Sequence, residues 1–255
     1  MKREPTIIAI GGGEMGRPGT KRETLLIDKE IVRLAGKKKP TLLFLPTASG
    51  DHAGYAALVE KYYGGLGCAV ETLRLIGTTL PKERIAAKIL GADIVYVGGG
   101  NTLKMMKLWR TLGVDRMLKQ AHASGTVMAG LSAGSVCWFR DGNSDSWKSV
   151  NPKAPYIKVR GLGILPALHC PHYDTEKERV ASLKKMMRST PGVAIALENC
   201  TALEVVGSAC RVLRSKKTAN AYKVFWSRGK YHQIRLEPSE EFMPLKLLLS
   251  RSAPR

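Results

Sequence analysis

Ser132 stands in the segment Val127-Met128-Ala129-Gly130-Leu131-Ser132-Ala133-Gly134-Ser135, where G-x-S-x-G follows an apolar, strand-like run and enters what reads as a helix. That context is the one a nucleophile elbow needs: the turn is so tight that Gly130 and Gly134 must lack side chains, and the serine is held in strained backbone geometry with its hydroxyl exposed. N–H groups at the start of the following helix, beginning with Ala133, can donate to a developing oxyanion. The chemistry is acyl transfer, and a serine nucleophile requires a base. Five histidines are available, His52, His122, His169, His172 and His232. His122 falls in the helix before the elbow strand, whereas His169 and His172 lie in Leu168-His169-Cys170-Pro171-His172-Tyr173-Asp174, just after an apolar run. The loop position and the preceding proline, which fixes the chain, favour His172.

Two glycine-rich turns accompany the elbow. Gly11-Gly12-Gly13-Glu14-Met15-Gly16 satisfies G-x-G-x-x-G after a first strand. A dinucleotide site would also need an acidic residue at the end of the second strand, which reads Leu45-Pro46-Thr47 instead. The turn is therefore read as one that brings backbone close to a ligand or a neighbouring loop. Gly98-Gly99-Gly100-Asn101 lies at the carboxyl end of a strand, where open α/β sheets build their sites, and successive glycines let peptide N–H groups converge on an oxyanion or a carboxylate.

The elements that must position these residues follow from hydrophobic patterning. Short apolar runs at 6–10, 41–45, 70–76, 93–97 and 127–130 alternate with amphipathic segments: 20–35 with Ile27, Ile31 and Leu34 on one face, a stretch around 55–63, 85–90 after Pro81, and a helix carrying Leu103, Met106 and Trp109. Strands apolar throughout, alternating with such helices, predict an α/β fold with a mostly parallel central sheet covered by helices on both faces. Beyond Arg140 come a polar stretch over 141–153, a helix over about 176–188 with Val180, Leu183 and Met187 inward, and short β runs at 193–197, 202–206, 211–213 and 222–226. These runs predict a small antiparallel C-terminal edge. With no internal repeat, no low-complexity linker and no second core in the pattern, one domain over 1–255 is expected.

Composition bounds the function. The 255 residues, 44% of them hydrophobic, suffice for a substantial core. No stretch approaches the roughly 18 to 20 apolar residues of a membrane helix, and the chain enters a strand directly after Pro5, so a soluble, cytoplasmic protein with no membrane partner is expected. Forty-one Lys and Arg against 21 Asp and Glu give a net charge of +20, which attracts polyanions. The basic residues are scattered, with no continuous arm and no nucleic-acid-binding module, so a basic solvated surface is expected rather than a nucleic-acid partner. Five cysteines, odd in number and never spaced C-x-x-C, read as reduced, mostly buried thiols. His169 and His172, with Cys170 between them, make a weak ligand set, and neither a metal nor a cofactor is expected.

Taken together, Gly130-Leu131-Ser132-Ala133-Gly134, Val97-Gly98-Gly99-Gly100-Asn101, Asn143-Ser144-Asp145-Ser146 and Cys170-Pro171-His172-Tyr173, in this order, resemble the peptidase E family, serine peptidases with a class I glutamine amidotransferase-like fold. The resemblance runs over about residues 6–206. It implies a flavodoxin-like three-layer sandwich, Ser132 as nucleophile, His172 as base, and a downstream carboxylate as third member. By position in Ala196-Leu197-Glu198-Asn199 that carboxylate is Glu198, with Asp145, which matches another acidic position of the family, as second choice. In an ordinary α/β-hydrolase the acid precedes the base, an order that would need Asp145. The oxyanion donors implied are Ala133 and the Gly99-Gly100 turn, and Asn101 and Arg179 are the expected substrate contacts.

The family's best-known activity, release of an N-terminal aspartate from short peptides, uses cationic side chains near the site. Asp174-Thr175-Glu176-Lys177-Glu178-Arg179 is more acidic than that recognition wants, with Glu176 near a position that calls for a cation. The expectation is a serine exopeptidase, dipeptidase-like, acting on small peptides through an acyl-enzyme, and a homodimer is compatible with it. A cyanophycinase-like hydrolase of acidic polymers, whose substrate the positive charge would attract, and a catalytically silent amidotransferase-like binding module are the alternatives.

Overall fold

The computed structural model describes residues 3–252 apart from Glu176. Its first half alternates as expected: β1 (Thr6–Ile10), α1 (Leu25–Leu34), β2 (Thr41–Leu45), α2 (Ala53–Gly65), β3 (Ala69–Thr72), α3 (Lys82–Gly91), β4 (Ile94–Val97), α4 (Thr102–Leu112), α5 (Val114–Ala123) and β5 (Val127–Leu131). These strands pair in parallel in the order β1-β5-β4-β2-β3. Successive side chains of a strand point to opposite faces. Ile7 and Ala9 accordingly join a core with α3, α4 and α5, while Ile8 and Ile10 join one with α1 and α2. Both faces are buried, which is why the strands carry no polar alternation. The first helix starts at Leu25, later than its periodicity suggested, because the preceding loop is tied back on itself by a bridge between Met15 and Arg22.

The second half contains α6 (Ala133–Val136), β6 (Phe139–Ser144), β7 (Ile157–Arg160), β8 (Leu165–Cys170), α7 (Lys177–Met187), β9 (Ala194–Leu197), β10 (Thr201–Val206), β11 (Ala209–Arg214), β12 (Ala221–Ser227), β13 (Lys230–Leu236), β14 (Met243–Pro244) and α8 (Leu245–Leu249). Strands β10, β11 and β14 continue the main sheet beyond β1 in antiparallel fashion, forming the edge that was expected. Beside it stands a second, six-stranded sheet, β13-β12-β9-β8-β6-β7, that the short β runs did not reveal. Runs 193–197 and 222–226 belong to this sheet and pair with each other. The chain crosses from one sheet to the other between β9 and β10, through a turn in which Cys200 has φ +66°. One apolar cluster takes residues from both sheets, including Ala9, Val97, Phe139, Ala167 and Ile195. All five cysteines are buried, and none is in a disulfide. Among the described residues no helix is long and apolar enough to cross a membrane.

Candidate active site

The carboxyl ends of β1, β5, β8 and β9 converge, and the exit of β1 is their common partner. Ser132 N–H donates to Ile10 O at 3.1 Å, His172 N–H to Gly11 O at 3.1 Å, Cys200 N–H to Gly12 O at 2.9 Å, and Gly11 N–H to Thr201 O at 2.9 Å. No side chain fits here. A Cβ on Gly11 would stand 2.4 Å from Glu198 O, and one on Gly12 would stand 2.0 Å from Asn199 Oδ1 and 2.5 Å from the His172 ring. The first glycine turn thus brings backbone against neighbouring loops, as its reading required.

Ser132 has φ +57° and ψ −114°, the strained conformation expected at the elbow. A Cβ on Gly130 would lie 2.2 Å from Gly134 O, and one on Gly134 would lie 2.0 Å from Val97 O, so both glycines are sterically required. Ser132 Oγ is 2.8 Å from His172 Nε2, and His172 Nδ1 is 2.7 Å from Asn199 Oδ1. An amide oxygen only accepts, so Nδ1 carries the proton and Nε2 is left to accept from the serine hydroxyl.

The third position therefore differs from expectation. Glu198 Oε2 accepts from Asn220 N–H at 2.7 Å and from Asn220 Nδ2 at 3.0 Å, and its Oε1 accepts from the Tyr222 hydroxyl at 3.2 Å. Neighbouring residues leaving an extended strand face opposite sides, and it is Asn199, not Glu198, that faces the imidazole. Asp145, the second choice, pairs with Arg179 at 3.5 Å. Sequence reading missed Asn199; the only signal was its adjacency to the expected acid.

The remaining expected contacts separate. A Cβ on Gly99 would lie 3.5 Å from Ser132 Cβ, so this backbone borders the serine. The Tyr55 phenol lies close by, and burial pushes it up to about 12, offset in part by the Gly99 backbone amide. A Cβ on Gly100 would meet Ala48 O at 2.2 Å, so only glycine fits there. Ala133 heads α6, and its N–H has no backbone acceptor among the described residues. Asn101 caps α4: its Oδ1 accepts Lys104 N–H at 3.0 Å, and its Nδ2 donates to Ser146 O at 2.8 Å and Ser149 Oγ at 3.0 Å. Arg179 is buried, donating to Asn143 O at 3.1 Å with its guanidinium 4.7 Å from the Tyr156 ring centre. Neither Asn101 nor Arg179 lines the cleft at Ser132. Glu176 lies outside the described residues.

Among the other histidines, His52 caps α2, its Nδ1 accepting Tyr55 N–H at 3.3 Å. His122 is on α5, where burial lowers its pKa, and His232 stacks on Phe225. His169 is buried behind the elbow, with Nδ1 2.9 Å from Ile195 O and Nε2 2.8 Å from Ser135 Oγ, which itself lies 2.7 Å from Ser132 O. Burial pulls its pKa down to about 3, so it is a neutral structural prop of the serine's carbonyl.

A cleft of about 750 Å³ opens on Ser132, His172 and Asn199. Met15, Tyr55, Leu58 and Leu131 give it apolar walls, and Glu14, Arg17 and Glu23 its charge. Among the described residues no cluster of three or more His, Cys, Asp or Glu is placed to hold a metal ion.

Comparison with known proteins agrees with this architecture. The chain is 32% identical over 232 residues to the uncharacterized peptidase YgaJ of Bacillus subtilis (strain 168), covering 90% of this chain and 96% of that one. It is 24% identical over 201 residues to peptidase E of Shewanella denitrificans, covering 74% and 80% of the two chains. Its fold matches the crystal structure of a peptidase from an acI-B1 Actinobacterium with a TM-score of 0.67 at 17% identity, over 95% of this chain and 98% of that one. A putative peptidase E of Listeria monocytogenes matches with a TM-score of 0.60 at 20% identity, over 83% and 98%. Residues 7–213 match the model of peptidase family S51, and the chain belongs to that family of peptidases.

Proposed function

We propose that this peptidase is a serine exopeptidase that cleaves short peptides by acyl transfer to Ser132, with His172 as general base and Asn199 as the residue that orients it. The observation that carries the reading is the 2.8 Å contact between Ser132 Oγ and His172 Nε2 at a strained elbow. The serine proton passes to Nε2 as Oγ attacks the carbonyl carbon. The Ala133 N–H, which has no backbone acceptor among the described residues, meets the oxyanion, joined by the Gly99 N–H. Collapse of the tetrahedral adduct breaks the C–N bond, and the proton on Nε2 goes to the leaving amine. Water then attacks the acyl-enzyme with His172 again as base, restoring the serine.

The similarity to peptidase E supports exopeptidase action on short peptides, and the two carboxylates of the cleft, Glu14 and Glu23, are each paired with a cation, the second held below the usual carboxylate range by Lys216. Continuity of the apolar core across both sheets supports a single domain, and cytoplasmic action on small peptides completes the reading. A fluorophosphonate probe is expected to label Ser132 in the wild type and to leave Ser132→Ala unlabelled at an unchanged melting temperature. Unblocked dipeptides are expected to be hydrolysed and their N-acetylated forms spared. Labelling that persists in the variant removes the nucleophile assignment, and equal cleavage of blocked peptides removes the exopeptidase one.

A further inference from the structure

The charged groups at the mouth of the cleft are already matched. Arg17 makes a two-pronged ion pair with Glu14, its Nε at 2.8 Å from Oε2, and Lys216 pairs with Glu23. Arg179, the cation expected to read an acidic side chain, is buried elsewhere against Asn143, Asp145 and Tyr156. A carboxylate entering this cleft would meet two carboxylates and no uncommitted cation among the described residues that line it. Its desolvation would go uncompensated. The walls next to Ser132 offer the opposite chemistry. Met15 and Leu131 are buried in the core beneath α2, and Tyr55 is fixed edge-on against Phe44, with ring centres 5.1 Å apart at 71°. Leu58 follows one helical turn after Tyr55, on the same side of α2.

We propose that the side chain on the acyl side of the scissile bond is apolar, and that Met15, Tyr55 and Leu58 select it by burying it beside the nucleophile. This rests on Ser132 being acylated. It departs from aspartyl specificity and from hydrolysis of acidic polymers alike, because both need a cation where this cleft has hydrocarbon. A cleft of about 750 Å³ is large enough for a short peptide.

The test uses the full chain. Leucyl-, phenylalanyl- and aspartyl-coumarylamides with free amino termini give kcat/KM, and α-aminoboronic acids with isobutyl or carboxymethyl side chains compete against fluorophosphonate labelling. Leucyl and phenylalanyl substrates are expected to exceed the aspartyl one by about ten- to hundredfold, and the isobutyl boronate to protect Ser132 at correspondingly lower concentration. Leu58→Arg is expected to narrow that ratio by about tenfold; should it fail to fold, boronate competition on the wild type decides. Ser132 labelled normally, with aspartyl substrate equal or preferred, overturns the apolar assignment and leaves the nucleophile standing. Neither labelling nor hydrolysis of any substrate overturns the acylation reading and this proposal together.

Discussion

Replacing Asn199 separates the geometry of this site from the acid that the resemblance implied. The amide oxygen lies 2.7 Å from His172 Nδ1 and contributes most when the ring becomes imidazolium, during attack and leaving-group protonation. A hydrogen bond to a charged group is worth about 1.5–3 kcal/mol, so Asn199→Ala is expected to lower kcat/KM by about ten- to 150-fold, chiefly in kcat. Asn199→Asp keeps an acceptor at the same place and is expected to retain far more activity than the alanine variant. Glu198→Gln perturbs bonds to Asn220 and Tyr222, so its effect is expected in stability, about 1–3 kcal/mol, with kcat within a few-fold of wild type. The second-order rate of fluorophosphonate labelling reads acylation without product release, and thermal unfolding separates the two kinds of loss. If Asn199→Ala labels at the wild-type rate while Glu198→Gln falls a hundredfold, the assignment of Asn199 is refuted and the carboxylate is restored to the triad.

Two further outcomes follow from the same geometry. Gly12→Ala places a methyl 2.0 Å from Asn199 Oδ1 and 2.5 Å from the imidazole, both movable groups, so the protein is expected to fold with a loss of about 1–3 kcal/mol while the labelling rate falls at least about a hundredfold; wild-type labelling would show that the triad does not pack on this glycine. His169, ordinarily near 6.5, is drawn down to about 3 by burial, so its contribution to stability is complete above pH 6.5 and lost as pH falls from there toward 3, at up to about 1.4 kcal/mol per pH unit. Urea midpoints at pH 7, 5 and 4 are expected to fall more steeply for the wild type than for His169→Gln, and parallel slopes would contradict the burial argument.

The parallel half of the fold was legible because a sheet buried on both faces leaves a mark that survives in one sequence, strands without polar alternation. The elbow at Ser132 was legible because a turn this tight tolerates only glycine at residues 130 and 134, and its contact with His172 because a loop histidine after proline stands out among five. The third member was not. Glu198 and Asn199 are adjacent, and which of them faces the ring is decided by the pairing of Glu198 with Asn220 and Tyr222 on a distant strand. Arg179 misled for a similar reason: a cation close in sequence to the histidine loop is drawn under Tyr156 and Asp145. The second sheet was hidden because an antiparallel run carries no label for the sheet it joins, and Cys200 redirects the chain in a single turn.

Ser132, His172 and Asn199 are 40 and 27 residues apart, so no local preference can set their spacing. The exit of β1 does. Ser132 and His172 both have positive φ, each costing about 1–3 kcal/mol, and each donates its N–H to a carbonyl of that exit, in bonds worth about 0.5–1.5 kcal/mol apiece. Those bonds return part of the strain and make the geometry of the two loops depend on one short glycine segment. The walls of the cleft have a different origin. Met15 belongs to the loop beyond that segment, and Tyr55 and Leu58 belong to α2, none of them tied to the carbonyls that hold the triad. Leu58 is therefore mechanically separable from Ser132, His172 and Asn199, and a change there can alter which peptide is taken without disturbing how its bond is broken.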